Sequence, residues 1–144
     1  MNPSMIVAII GVVSVLLGLG GLASPHLVMH RVVGFAVDPG FSEYFVRGEV
    51  RAVYGGLFTM IGLHTLWGAM DLQAHRQRIF LVGTLWLGLC VGRLISIAVD
   101  GSPGALGWFS VAFEAVIGGA LLACAFAGPR RAEVRAAATG AVPG

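Results

Sequence analysis

The chain has 144 residues, of which 57% are hydrophobic and only 11% charged, with a formal net charge of +2 and a mean hydropathy of +0.88. Soluble domains carry about 25% charged residues, so too few charges are present to cover a water-facing surface. The small, scattered positive charge gives no electrostatic footprint for nucleic acid. All nine basic residues are arginine, which suits multidentate pairing at low hydration, although a biased genomic base composition explains the lack of lysine equally well.

Taken in order, the first apolar segment covers residues 5–23 and carries no charge. Its Gly21-Leu22-Ala23 end resembles a signal-peptide cleavage site, but no basic residue precedes the apolar run, so it reads as a first membrane helix. The 24–46 connection is the only long one. Pro25 and Pro39-Gly40 punctuate it, and Phe41, Tyr44 and Phe45 follow as interface aromatics. It reads as a membrane-hugging loop, with a lid over an opening between helices as the alternative. His26 and His30 are four residues apart, but no third ligand is evident and no metal site is expected.

The second apolar segment covers residues 49–70, the third 79–99 and the fourth 106–127. Each approaches the roughly 20 residues that a helix needs to cross the hydrocarbon core. Only helices and closed barrels satisfy the backbone there, and these runs are too long and continuous for barrel strands. The expected fold is therefore all-α, an integral membrane four-helix bundle over residues 1–128 with a short basic tail at 129–144. Trp67 beside His64, and Trp108, read as interface anchors, whereas Trp86 reads as packing. Cys90 and Cys124 fall inside apolar runs and read as small hydrophobes.

Arg76, Arg78, Arg130, Arg131 and Arg135 lie on one side of these spans. The other side holds Arg31 and Arg47 beside Asp38 and Glu43, and a short link from Asp100 to Gly104 without a base. The excess of arginine marks the cytoplasmic side, which predicts both termini inside a bacterial inner membrane.

Depth then sorts the ionisable residues inside the spans. Arg93 stands seven residues before the outer end of the third span, and Glu114 seven residues into the fourth from Gly107. At 1.5 Å per residue both lie roughly 10 Å deep, as does Tyr54 of the second. Glu49, Arg51 and Asp100 sit just above them. Such charges usually face the bundle interior and pair, and a guanidinium can hold a carboxylate bidentately, so Arg93 and Glu114 are the expected pair. Arg93, Ser96 and Asp100 share one helix face, as do Arg47, Arg51, Tyr54 and Phe58. The plainer alternative is a polar network that only fastens helices. Small residues would do that work more cheaply, and Gly55-Gly56, the Gly88/Gly92 pair and Gly118-Gly119 are present for it.

Two motifs, Arg47-Gly-Glu49-Val-Arg51-Ala-Val-Tyr54-Gly-Gly56 and Gly92-Arg93-Leu-Ile-Ser96 running into Asp100-Gly-Ser-Pro, resemble those of a bacterial domain-of-unknown-function family. Its members are small four-helix membrane proteins, broadly similar to the DoxX-like group. The resemblance covers residues 5–127 and implies the four-span fold, but no established reaction.

The residues favour a binding role. Glu49, Arg51, Tyr54, Arg93, Ser96, Asp100 and Glu114 would take the head of a membrane lipid, quinone or isoprenoid above apolar walls, or serve an accessory subunit of a larger membrane complex or a homo-oligomer. The alternative is a membrane isomerase or cyclase without a cofactor, with Glu114, Glu49 or Tyr54 as the catalytic acid or base. An arginine partner makes Glu114 a poor acid.

Overall fold

The computed structural model describes residues 2–28 and 43–127. Among these, every regular element is helical: α1 (Pro3–Ala23), the single turn α2 (Pro25–Leu27), α3 (Glu43–Val50), α4 (Phe58–Met70), α5 (Arg76–Asp100) and α6 (Gly104–Phe126). A π-helical segment, Arg51–Leu57, joins α3 to α4 without a break. Three helices, α1, α5 and α6, are long and apolar enough to cross a membrane. Residues 43–70 are helical throughout, but the π segment divides them so that no single α-helix there has that length. Of the loop or lid expected over residues 24–46, residues 43–46 belong to α3, and the stretch 29–42, with His30, Arg31, Asp38 and Phe41, lies outside the described residues. So does the tail at 129–144.

The helices begin earlier than hydropathy alone predicts, at Glu43 rather than Glu49 and at Arg76 rather than Ile79. Propagation needs only one further backbone hydrogen bond per residue, so a helix runs past its apolar stretch into polar flanks.

Glycine sets the pairing. A Cβ on Gly11 would meet Leu66, one on Gly18 would meet Thr59, and one on Gly21 would meet the backbone of Tyr54 and Gly55. As numbers rise along α1 they fall along its partner, so α1 runs antiparallel to the π segment and α4 with backbones almost touching. Gly83 and Gly118 do the same for α5 and α6, where each added Cβ would lie 3.0–3.2 Å from the other's carbonyl oxygen. Close approach of this kind supplies the van der Waals contact that holds helices together where no water is expelled. Gly88 and Gly92, expected to fasten helices, instead face open space among the described residues. Gly88 is five residues beyond Gly83, about 140° further round α5, so it points away from α6.

The link between α5 and α6 is short because Gly101 and Gly104 take φ of +98° and +74°, values open to glycine. The Gly101 N–H caps α5 by bonding to the Ile97 carbonyl at 3.1 Å. Buried hydroxyls are satisfied within their own helices: Ser14 donates to the Ile10 carbonyl at 2.8 Å and Thr65 to that of Ile61 at 2.7 Å. At the end of the bundle opposite Asp100, Cys124 Sγ lies 3.9 Å from the Pro3 carbonyl. The start of α1 and the end of α6 are therefore neighbours.

The packing gives a paired test. Gly18→Ala places a methyl group against Thr59 and is expected to cost about 1–3 kcal/mol, as overpacking does. Gly88→Ala, in open space, is expected to be neutral or stabilising by up to about 1 kcal/mol through helix propensity. Thermal unfolding of both variants in one detergent, followed by circular dichroism, reads the difference.

Candidate functional site

Arg93 and Glu114 face each other across the α5–α6 hairpin, in the half nearer the Gly101 link. The Arg93 Nε donates to Glu114 Oε1 at 2.7 Å. Glu114 is 3% exposed, whereas the Arg93 side chain is 36% exposed. The two do not form a bidentate clasp. Approach through Nε occupies one carboxylate oxygen, and Glu114 Oε2 is buried without a hydrogen-bond partner among the described residues. The Tyr54 phenol lies within electrostatic reach of the same guanidinium, so residues from the π segment, α5 and α6 do converge.

They converge on a cavity of about 430 Å³ between the two helix pairs. The π segment and α4 supply Tyr54 and Phe58, and α5 supplies Trp86 and Arg93. From α6 come Phe109, Ser110, Phe113 and Glu114, while Val13 and Leu17 of α1 form the apolar wall. The rings form a continuous series. Tyr54 stacks on Phe58 with centroids 6.0 Å apart. Phe58 meets Trp86 edge-on at 5.3 Å, Trp86 meets Phe113 edge-on at 5.9 Å, and Phe113 stacks with Phe109 at 6.0 Å. Edge-to-face and offset contacts are the favourable ring geometries. Trp86, 1% exposed, is thus packing and cavity wall at once, and its indole Nε1 is also buried without a partner among the described residues.

The π segment gives Tyr54 its place. Its wider winding breaks the α register that would put Arg47, Arg51, Tyr54 and Phe58 on one face. Arg51 is exposed, Tyr54 is half-buried and Phe58 is buried. Such turns recur at functional positions. Here the Thr59 hydroxyl donates to the Gly55 carbonyl at 2.8 Å, which helps satisfy the backbone where π winding returns to α. Glu49, Ser96 and Asp100 are likewise exposed and do not line the cavity. The Ser96 hydroxyl instead donates to Asp100 Oδ2 at 2.8 Å along one face of α5.

Phe109, Ser110 and Phe113 are not singled out by the sequence, which names Phe58 only as a member of the Tyr54 face. The signal for the two α6 rings was available, since Phe109 and Phe113 are four apart and next to a buried acid. No such signal exists for Val13 or Leu17, two apolar residues among many. At the opposite end of the bundle, His64 stacks on Trp67 with centroids 6.5 Å apart, and the Arg78 guanidinium lies 3.9 Å from the Trp67 centroid, a cation–π contact. Cys90 and Cys124 are free and buried.

A family model described as Domain of unknown function (DUF4345) matches residues 4–125, from the first turn of α1 almost to the end of α6. The chain belongs to this family. No curated protein and no solved structure matches it. The family description assigns no reaction, so chemistry has to be read from the cavity.

The unequal burial of the pair makes its two halves unequal in consequence. Arg93→Met strands an almost fully buried carboxylate and is expected to cost about 3 kcal/mol, the lower end for breaking a buried pair. Glu114→Gln leaves an arginine that can reach polar surroundings and is expected to cost about 1 kcal/mol. Unfolding of both variants in the same detergent, by denaturant or heat, checks the order.

Proposed function

We propose that the chain is a four-span protein of the bacterial inner membrane that holds an amphipathic lipid, quinone or isoprenoid in the cavity around Arg93 and Glu114. It would do so alone or as a small accessory subunit of a larger membrane complex. The observation that carries this reading is the cavity itself: about 430 Å³, with aromatic and aliphatic walls and a charge pair at one level. Binding sites of 300–1,000 Å³ with mostly apolar linings and few polar groups are the usual form for small ligands. A tail could leave between the helix pairs into the bilayer.

The helical backbone of residues 43–70 would be the remaining span, packed along α1 through Gly11, Gly18 and Gly21. The side bearing Arg76 and Arg78 would be cytoplasmic, and the cavity would then lie in the outer half of the membrane. In cells carrying Leu27→Cys, at an exposed position between α1 and α3, a membrane-impermeant maleimide is expected to label the protein without lysis. In cells carrying Gln73→Cys, labelling is expected only after lysis. Labelling of both in intact cells would contradict four spans.

A cofactor-free isomerase or cyclase has less support. Glu114, its candidate acid, is already tied to Arg93, and Glu49 is exposed. Tyr54 is the one proton donor of that proposal left at the cavity.

Extraction of the purified protein decides between a ligand site and a packing defect. One lipid per chain is expected from wild type by mass spectrometry. Ser110→Trp, which fills the cavity with an indole, is expected to lose it while remaining monodisperse on gel filtration. Equal retention by this variant would remove the cavity as the site.

A further inference from the structure

Building on the reading of this cavity as a lipophile site, we propose that the head group it selects is an uncharged hydroxyl, that of a lipid alcohol or a hydroquinone. Charge is the first ground. Arg93 and Glu114 neutralise each other at 2.7 Å, so the site offers no net positive charge to a phosphate or carboxylate. Any anion drawn to the guanidinium would also meet the second oxygen of Glu114.

Hydrogen bonding is the second ground. Two cavity-lining residues more than nine-tenths buried each keep a polar atom without a partner among the described residues, Glu114 Oε2 and Trp86 Nε1. An ionised carboxylate oxygen only accepts and an indole N–H only donates. A hydroxyl both donates and accepts, so it is the smallest uncharged group that can answer an atom of either kind. A carbonyl or ether can answer the indole but leaves Oε2 unmet. A cation can answer Oε2 but would compete with Arg93 and leave the indole unmet. A ligand that pairs such a group gains a hydrogen bond that an analogue lacking the matching atom cannot make, which is the basis of the discrimination.

The remaining walls suit the rest of such a molecule. Phe58, Phe113 and Trp86 present ring faces and edges to an isoprenoid chain or a flat ring, and the volume admits a head with the first part of a tail.

The test compares three probes that differ only at the head: farnesol, its methyl ether and its monophosphate, titrated into the detergent-solubilised full chain with intrinsic tryptophan fluorescence as readout. A short-chain ubiquinol and its quinone form the second arm, which separates a hydroquinone from an alcohol as the source of the hydroxyl. Farnesol or the ubiquinol is expected to bind at least about tenfold more tightly than its non-donating counterpart, a difference of one charge-assisted hydrogen bond, and more tightly than the phosphate. In Glu114→Gln that ratio is expected to fall towards one. In Trp86→Phe, followed by thermal shift, affinity for farnesol is expected to fall several-fold. A phosphate that binds as tightly as the alcohol, or an ether and a quinone that match their hydroxyl forms, would overturn the head-group assignment and leave the cavity standing. Saturable binding of the probes that survives Ser110→Trp unchanged would overturn the cavity reading itself. The wild-type ratios need no variant to fold.

Discussion

A carboxylate enclosed by apolar side chains persists as an ion only while a counter-charge stays beside it, and the Arg93–Glu114 contact is where this chain meets that condition. The 2.7 Å contact ties α5 to α6, beside the close Gly83–Gly118 approach that brings the two backbones together. The contact lies on the faces of the two helices that look inwards. Trp86 and Cys90 share the inward side of α5 with Arg93, and Ile117 and Leu121 follow Glu114 along α6. Polar contacts inside membranes contribute modestly to adhesion, so their stronger consequence is specificity of arrangement.

Glycine does the adhesive work, and its distribution explains why a cavity exists. Gly11, Gly18, Gly21 and Gly62 draw α1 to its partner, and Gly83 and Gly118 draw α5 to α6. Each helix pair is therefore tight. Between the pairs the seam is filled by large side chains, and near the Gly101 link the filling is incomplete. The ring series from Tyr54 to Phe109 borders the resulting space, with the charge pair at its edge.

Much of this was legible in the sequence. Apolar length alone marks α1, α5 and α6, and counting back from Asp100 and forward from Gly107 brings Arg93 and Glu114 to one depth before any contact is known. Three things were not legible. The π segment has no compositional mark beyond Gly55-Gly56, and it re-aims Arg51 outwards by changing the winding on which a shared face depends. Which glycines touch a neighbour depends on helix rotation, so Gly83 packs while Gly88, in a GxxxG spacing, faces open space. The single-point contact of Arg93 with Glu114 depends on side-chain approach, and with it goes the unpartnered Oε2 that gives the cavity its chemical character.

The character of the cavity depends on an ionised Glu114 held by Arg93 within apolar surroundings. The most direct measurement is the infrared difference spectrum between wild type and Glu114→Gln, both in lipid bilayers at neutral pH. The account predicts loss of ionised carboxylate bands, at frequencies that shift when Arg93 is replaced by Met. Loss of a protonated carboxyl C=O stretch instead, insensitive to Arg93, would contradict it.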